Sequence, residues 1–411
     1  MKQSRSRKLG FVRMTKLVKT IFVASITTLA CISACFADTF THRRTGEVLH
    51  GYATSQAQEG LALVQTQEKG LAKLNLAEWQ ITTDRQGRNN RVSVFDLDDE
   101  IGLEIETAAF EKAIVEAADE GPLFILLEID TPGGRKFLAN RLCGVIMETK
   151  NCPVIAFVKV GTYGGAISAG AAVALACDKI YMASATSIGA ATTIIIDEKG
   201  IRDLKQAFGE TVAEKFDSAW QAKLASLAEQ NGRPGLLAKA MIDKDIEVIE
   251  VSDAGRRLFI EPINKKPQQK LVHTWSQKGS LLTLTAAEAV QCMIADKVAE
   301  SRDDVLRDLD AASAEIVENR DMQDARAELK RADGQVKRIR TSIDLKMKES
   351  EGRMPVPKAL KILREAELEC KTLITLAKKY PDLEMEVQPL EEWLNTIKAA
   401  STEIKRESRR R

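Results

Sequence analysis

From Val92 onward, apolar stretches of strand length alternate with stretches of helical period, and this alternation constrains the chain more than any other feature. Strands are predicted at Val92 to Leu97, Phe124 to Ile129, Val154 to Val160 and Ile180 to Ala183. Helices are predicted between them at Ala108 to Asp119, Arg135 to Thr149 and Ser168 to Ala176. Such βαβ order builds a parallel sheet covered by helices, with its ligand groups gathered in loops at the carboxyl ends of the strands. Two glycine-rich turns fall at those loops: Asp130-Thr131-Pro132-Gly133-Gly134, and the run from Gly161 to Gly170 that contains Tyr163 and Ser168.

The flanks have a different texture. Residues 38 to 85 alternate apolar and polar positions between turn glycines, as in Leu61 to Gln67, and are expected to form a small antiparallel β module. A polar linker, Arg85 to Asn90, separates it from an α/β core expected over residues 92–305. After Leu306 the chain becomes polar and helical, and Met322, Ala325, Leu329, Ala332, Val336, Ile339 and Ile343 recur at steps of three and four. The break at Gly352 to Pro357, with a second apolar face at Ile362, Ala366, Leu373 and Ala377, reads as a helical hairpin with its seam buried internally, the alternative being a seam that serves self-association. A short third helix around Leu390 to Ile397 and a solvated basic tail, Lys405 to Arg411, complete the expected 306–411 segment.

Residues 1–37 carry seven basic side chains, from Lys2 to Lys19, then the apolar run Ile21 to Ala37. That order is a secretory signal, with cleavage expected after Ala37 and the protein exported to the periplasm or cell envelope. Two alternatives stand beside it: lipidation at Cys35, and an uncleaved N-terminal anchor. The net charge of +1, from 60 basic and 59 acidic residues, supplies no field toward nucleic acid, and no nucleic-acid partner is expected. Cys143, Cys152, Cys177, Cys292 and Cys370 lack the paired spacing of a disulfide framework or zinc cluster, so they are expected to be small buried hydrophobes, with no metal or cofactor.

Ser168 begins a predicted helix behind glycines, where a hydroxyl can be exposed beside backbone N–H donors. The same position suits a plain helix cap. Pro132-Gly133-Gly134 supplies a second set of backbone donors at the same sheet edge, as an oxyanion site requires. A serine also needs a base. The histidines are His42, His50 and His273, so an imidazole base would have to be His273, from a segment read as strand and loop. A lysine serves if burial lowers its pKa. Lys215, beside Phe216 and near Trp220 on a helix ending at Gln230, is one candidate; Lys205 and Lys223 are others, and spacing alone does not choose.

The run Ile129 to Gly134, then Ala166 to Gly170, Ile180 to Ala183, Ser187 to Ala190, Ala225 to Arg233, Leu282 to Ala286 and Ile294 to Asp296 resembles the NfeD family of ClpP-like serine proteases. The resemblance spans roughly residues 92–305 and implies a ClpP/crotonase-like α/β fold and an exported endopeptidase acting on peptide or protein substrates. It implies Ser168 as nucleophile, Lys215 as general base, and backbone N–H groups of Gly133, Gly134 and Ala169 as oxyanion donors. A homo-oligomer and a membrane-associated partner are also implied. Family members commonly end in transmembrane helices and a small β-barrel, whereas this chain has a helical hairpin. Two other readings remain at this point: a crotonase-like acyl-CoA enzyme, and a non-catalytic assembly protein on the same scaffold.

Overall fold

The computed structural model describes residues 38–410 except 54–60, 67–68, 76, 84–88, 151 and 198–199. The expected targeting segment, with Cys35 and Ala37, lies outside the described residues. The described residues form two compact units, one with those from Asp38 to Arg91 together with Leu306–Glu315, the other with those of Val92–Val305 and from Ile316 to Arg410.

The first unit is built on five strands: β1 (Asp38–His42), β2 (Val48–Ala53), β3 (Leu61–Thr66), β4 (Gly70–Asn75) and β5 (Trp79–Thr83). They form an antiparallel sheet in the order β4-β3-β2-β1-β5. Alternation puts Phe40 opposite both Leu49 and Ile81, and these close over Leu74 and Trp79 in a small core. His42 stands edge-on to Trp79, and its Nδ1 accepts the N–H groups of Arg44 and Thr45 at 3.2 Å.

The second unit carries a six-stranded sheet. Its strands are β6 (Asn89–Leu97), β7 (Pro122–Ile129), β8 (Val154–Val158), β10 (Lys179–Met182), β18 (Lys297–Val298) and β19 (Glu315–Asn319), in the order β18-β10-β8-β7-β6-β19. The four from β18 to β7 run parallel. Every residue of β7 is buried, which explains its nearly unbroken apolar sequence: both faces of a parallel sheet are covered by helices. Those coverings come from α1 (Glu104–Asp119), α2 (Lys136–Glu148) and α3 (Ala169–Ala176), whose apolar faces join one continuous core.

A second sheet, absent from the sequence reading, stands at the carboxyl edge of the first. It joins β9 (Gly165–Ile167), β11 (Ser187–Gly189) and β17 (Thr283–Thr285). Strands this short have no readable period, so only their pairing reveals them. Beyond β11 come the hairpin β12 (Ile194–Asp197) and β13 (Gly200–Asp203), then α4 (Leu204–Phe208), α5 (Glu210–Gln230) and α6 (Gly235–Ala240). A three-stranded sheet follows, with β14 (Val248–Asp253) between β15 (Arg256–Ile260) and β16 (Lys270–Ser276). Its β16 turns the predicted strand and loop at Leu271 to Trp275 into continuous strand. Helices α7 (Ala286–Gln291) and α8 (Arg302–Asp308) lead out of this region.

Three long helices close the chain: α9 (Asp321–Ser350), α10 (Val356–Lys379) and α11 (Val387–Arg410). The predicted seam divides its work. Leu329 and Ala332 pack with Tyr380 against Leu103 and Ile105 at the start of α1, whereas Val336 and Ile343 join Leu363, Ala366 and Leu373 of α10. The third helix is much longer than the expected Leu390 to Ile397, and most of the basic tail is helical. Ala400 and Ile404 extend its apolar face onto the same cluster, so the amphipathic period continues through the charged residues. Helix α1 also begins earlier than the predicted Ala108, for a reason no local pattern carries. The carboxylate of Asp382, 278 residues downstream, accepts the N–H groups of Glu104 and Ile105 at 2.8 Å each and caps the helix from outside.

The cysteines at 143, 152, 177, 292 and 370 are buried and form no disulfide. Burial pushes the Cys143 thiol up to about 12, so it behaves as an apolar filler. Among the described residues no helix is long and apolar enough to cross a membrane.

Candidate active site

Ser168 occupies the sharp corner between β9 and α3, with φ 56° and ψ −118°. Its side chain makes no capping hydrogen bond, which sets aside the plain-cap reading of this residue. Its backbone N–H instead donates to the Gly189 carbonyl at 2.8 Å, which ties the corner to β11. A residue with a β-carbon is strained in this region of backbone space, and Ser168 is half-buried there.

The Gly133 turn packs directly on this corner. A Cβ on Gly133 would lie 2.5 Å from Cβ of Ser168 and 3.0 Å from the Ala169 nitrogen, so only glycine permits the approach. The predicted residues Ser168, Ala169 and Gly133 are therefore neighbours. The three backbone donors differ in availability. Gly133 N–H donates to Thr131 Oγ1 at 3.1 Å. Ala169 is the first residue of α3, where a helix leaves its N–H groups without intrahelical partners. Gly134 is exposed and bridges Ile101, which donates to the Gly133 carbonyl and accepts from Arg135 N–H.

Two residues of the first turn organise the second. Asp130 is buried, and its carboxylate accepts the N–H groups of Tyr163 (3.1 and 3.2 Å) and Gly165 (3.1 Å). Thr131 is fully buried, and its hydroxyl donates to the Asp99 carbonyl at 2.6 Å. Its methyl group fills the space where a Cβ on Gly170 would stand, 2.4 Å away, which accounts for the glycine of Ser168-Ala169-Gly170. The sequence reading did not assign roles to Asp130 or Thr131. The available signal was a pair of polar residues directly after a strand that is apolar but for Glu128, a combination that burial tolerates only with partners.

The candidate bases separate. Lys215 lies on the first half of α5 with its side chain exposed, as does Lys205 on α4, while Lys223 is half-buried farther along α5. The burial expected of a base is found instead at Lys136, the first residue of α2 and three positions after Gly133. Its Nζ donates to the Phe216 carbonyl at 3.4 Å and lies 5.0 Å from the centroid of the Trp220 ring. Burial lowers the Lys136 pKa, with Asp217 partly opposing. Lys136 thereby brings the Lys215–Trp220 stretch of α5 to the helix that follows the Gly133 turn, and Trp220 is fixed from the other side by its Nε1 donating to the Ala191 carbonyl at 3.2 Å. His273 belongs elsewhere: its ring lies tilted against Trp275 within β16, centroids 4.2 Å apart, and it lies near Glu250 and Glu288.

Comparison with known proteins gives the family context. Residues 91–262 match the model of the NfeD1b N-terminal domain. Membrane protein NfeD1b of Bacillus subtilis is 30% identical over 205 residues, covering 50% of this chain and 38% of that protein. Membrane-bound protease PH1510 of Pyrococcus horikoshii is 31% identical over 139 residues, covering 34% of this chain and 30% of that protein. The matched stretch is thus well under half of each relative's own length. Among solved structures, an alanine mutant of the 1510-N membrane-bound stomatin-specific protease is similar at 23% identity and a TM-score of 0.42, covering 57% of this chain and 98% of that one.

Proposed function

We propose, from the premise that residues 91–262 are an NfeD-type domain, that this protein is a serine endopeptidase with Ser168 as nucleophile and Lys215 as general base. The observation that carries the reading is the strained corner at Ser168, with Gly133 packed on its β-carbon and the start of α3 beside it. The relation to a membrane-bound protease supports peptide-bond chemistry.

In this mechanism the neutral amine of Lys215 takes the Ser168 hydroxyl proton as Oγ bonds to the peptide carbonyl carbon. The N–H groups of Gly134 and Ala169 hold the resulting oxyanion, each contributing about 3 kcal/mol of transition-state stabilisation. The lysine ammonium then gives its proton to the departing amine, leaving an ester on Ser168. Water, deprotonated by the same amine, releases the acid and restores the serine. The side chain of Lys215 is exposed without substrate; a peptide lying between α5 and the Gly133 turn would cover it and supply the desolvation that a neutral amine needs.

A second reading of the base is favoured by one observation: Lys136 is already partly buried and its pKa already lowered. Export and action at the cell envelope belong to the same proposal, supported by the apolar N-terminal run and by relatives named as membrane proteins.

The test is covalent labelling by a fluorophosphonate together with peptide-library cleavage. Labelling and turnover should both vanish in Ser168→Ala while the fold is kept. Lys215→Ala should abolish turnover, and Lys136→Met should retain it. Labelling that survives in Ser168→Ala would remove the nucleophile, and the opposite pattern between the two lysines would transfer the base to Lys136.

A further inference from the structure

We infer that the C-terminal hairpin clamps the two glycine-rich turns around Ser168, with Arg326 and Glu384 as positioning residues for the proposed reaction. Both residues lie outside the segment that matches the NfeD1b domain, Arg326 on α9 and Glu384 between α10 and α11.

Three contacts converge on the short segment from Asp99 to Glu106 and on Arg135. Arg326, on α9, is held by the buried carboxylate of Glu106 on α1 and reaches Asp99 at 2.9 Å. Asp99 connects both turns at once. Its side chain accepts the Tyr163 hydroxyl at 3.0 Å, and its carbonyl accepts the Thr131 hydroxyl, which in turn accepts Gly133 N–H. Asp382 caps α1 just beyond, at Glu104 and Ile105. Glu384, which follows the turn at Pro381–Leu383, pairs with Arg135 at 3.0 Å, and the Arg135 N–H is bonded to Ile101 beside Gly134. Arg326 and Asp99 are each roughly two-fifths exposed, at 38% and 43% of the side chain, so this pair in isolation would contribute little. What distinguishes it is convergence: the buried Glu106 fixes the guanidinium, which fixes Asp99, which reaches Tyr163 on one side and Thr131 on the other.

The clamp is tested by amide hydrogen exchange at Tyr163 and Gly165, read in the full-length protein beside peptide cleavage. Arg326→Ala should accelerate exchange at these amides about tenfold and lower kcat about tenfold, with KM changed less than about twofold. Arg326→Lys should recover part of both. Tyr163→Phe and Glu384→Gln remove only surface groups and keep the test open should Arg326→Ala fail to fold. Tyr163→Phe should reproduce the kcat loss, and combining it with Arg326→Ala should add nothing further. Unchanged exchange in every variant overturns the clamp whatever happens to activity, and accelerated exchange with unchanged kcat overturns the positioning role. A protein that neither labels nor cleaves, yet exchanges faster on mutation, overturns the peptidase reading and leaves the clamp standing.

Discussion

Ser168 holds a backbone conformation that costs a residue with a β-carbon about 1 to 3 kcal/mol, and the surrounding bonds must sustain it. Ser168 N–H to Gly189 fixes it on one side, and the close approach of Gly133 fixes it on the other. Removing the β-carbon should relieve that strain, at the smaller cost of a more flexible unfolded chain. Both Ser168→Ala and Ser168→Gly should be inactive, but the glycine variant should be more stable than the alanine variant by about 1 kcal/mol. Thermal unfolding of the two side by side checks this, and a lower melting temperature for the glycine variant would show the corner to be unstrained. The residue scale also explains a limit of sequence reading. Nothing in Ala166-Ile167-Ser168-Ala169-Gly170 distinguishes an elbow from an ordinary capped helix start, because the distinction is two backbone angles and a missing capping bond.

At the scale of elements, α2 and α5 are joined by an amine whose charge the site disfavours. Lys136 is partly buried over Trp220, and its folded-state pKa lies below the ordinary lysine value of 10.5. The unfolded chain therefore binds more protons than the folded one in the window between the lowered value and 10.5, and this residue's contribution to stability rises with pH across it. Lys136→Met keeps the apolar stem and removes the titration. The wild type should gain on this variant in melting temperature as pH rises toward 10.5, and a constant difference would remove the burial argument. Elements with a full period, such as α9 and α10, were legible in advance from their apolar faces. The strands β9, β11 and β17 were not, because three residues cannot establish an alternation.

Across the whole α/β unit, one buried carboxylate knots the sheet to its surroundings. Glu128 on β7 meets Lys159 at 3.2 Å and Arg302 at 2.6 Å, while Arg302 also pairs with Glu318 on β19 and Lys159 with Asp96 on β6. Burial alone would raise the Glu128 pKa, but Arg302 and Lys159 outweigh it and hold the carboxyl below its ordinary value. The stabilisation is therefore complete above the ordinary carboxylate range and is lost as pH falls through the depressed folded value. Glu128→Gln should cost about 2 kcal/mol at neutral pH, since it leaves two cations without their shared partner. Its melting temperature should converge on that of the wild type in acid. A variant equally destabilised at every pH would assign the loss to packing rather than charge.

The sequence by itself determined the alternating α/β core, the antiparallel β module, the paired C-terminal helices and the residues of the two glycine-rich turns. Each of these rests on a local cause: a hydrophobic period, an unbroken apolar run, or glycines that mark a turn. Tertiary structure alone decided which groups meet. It brought Asp130 beneath the Tyr163 turn, Lys136 rather than Lys215 into partial burial, Asp382 to the start of a helix 278 residues away, and Arg326 to Asp99. The physical reason is range: propensity and period act within a few residues, whereas a carboxylate or a guanidinium takes whatever partner the fold carries to within about 3 Å of it.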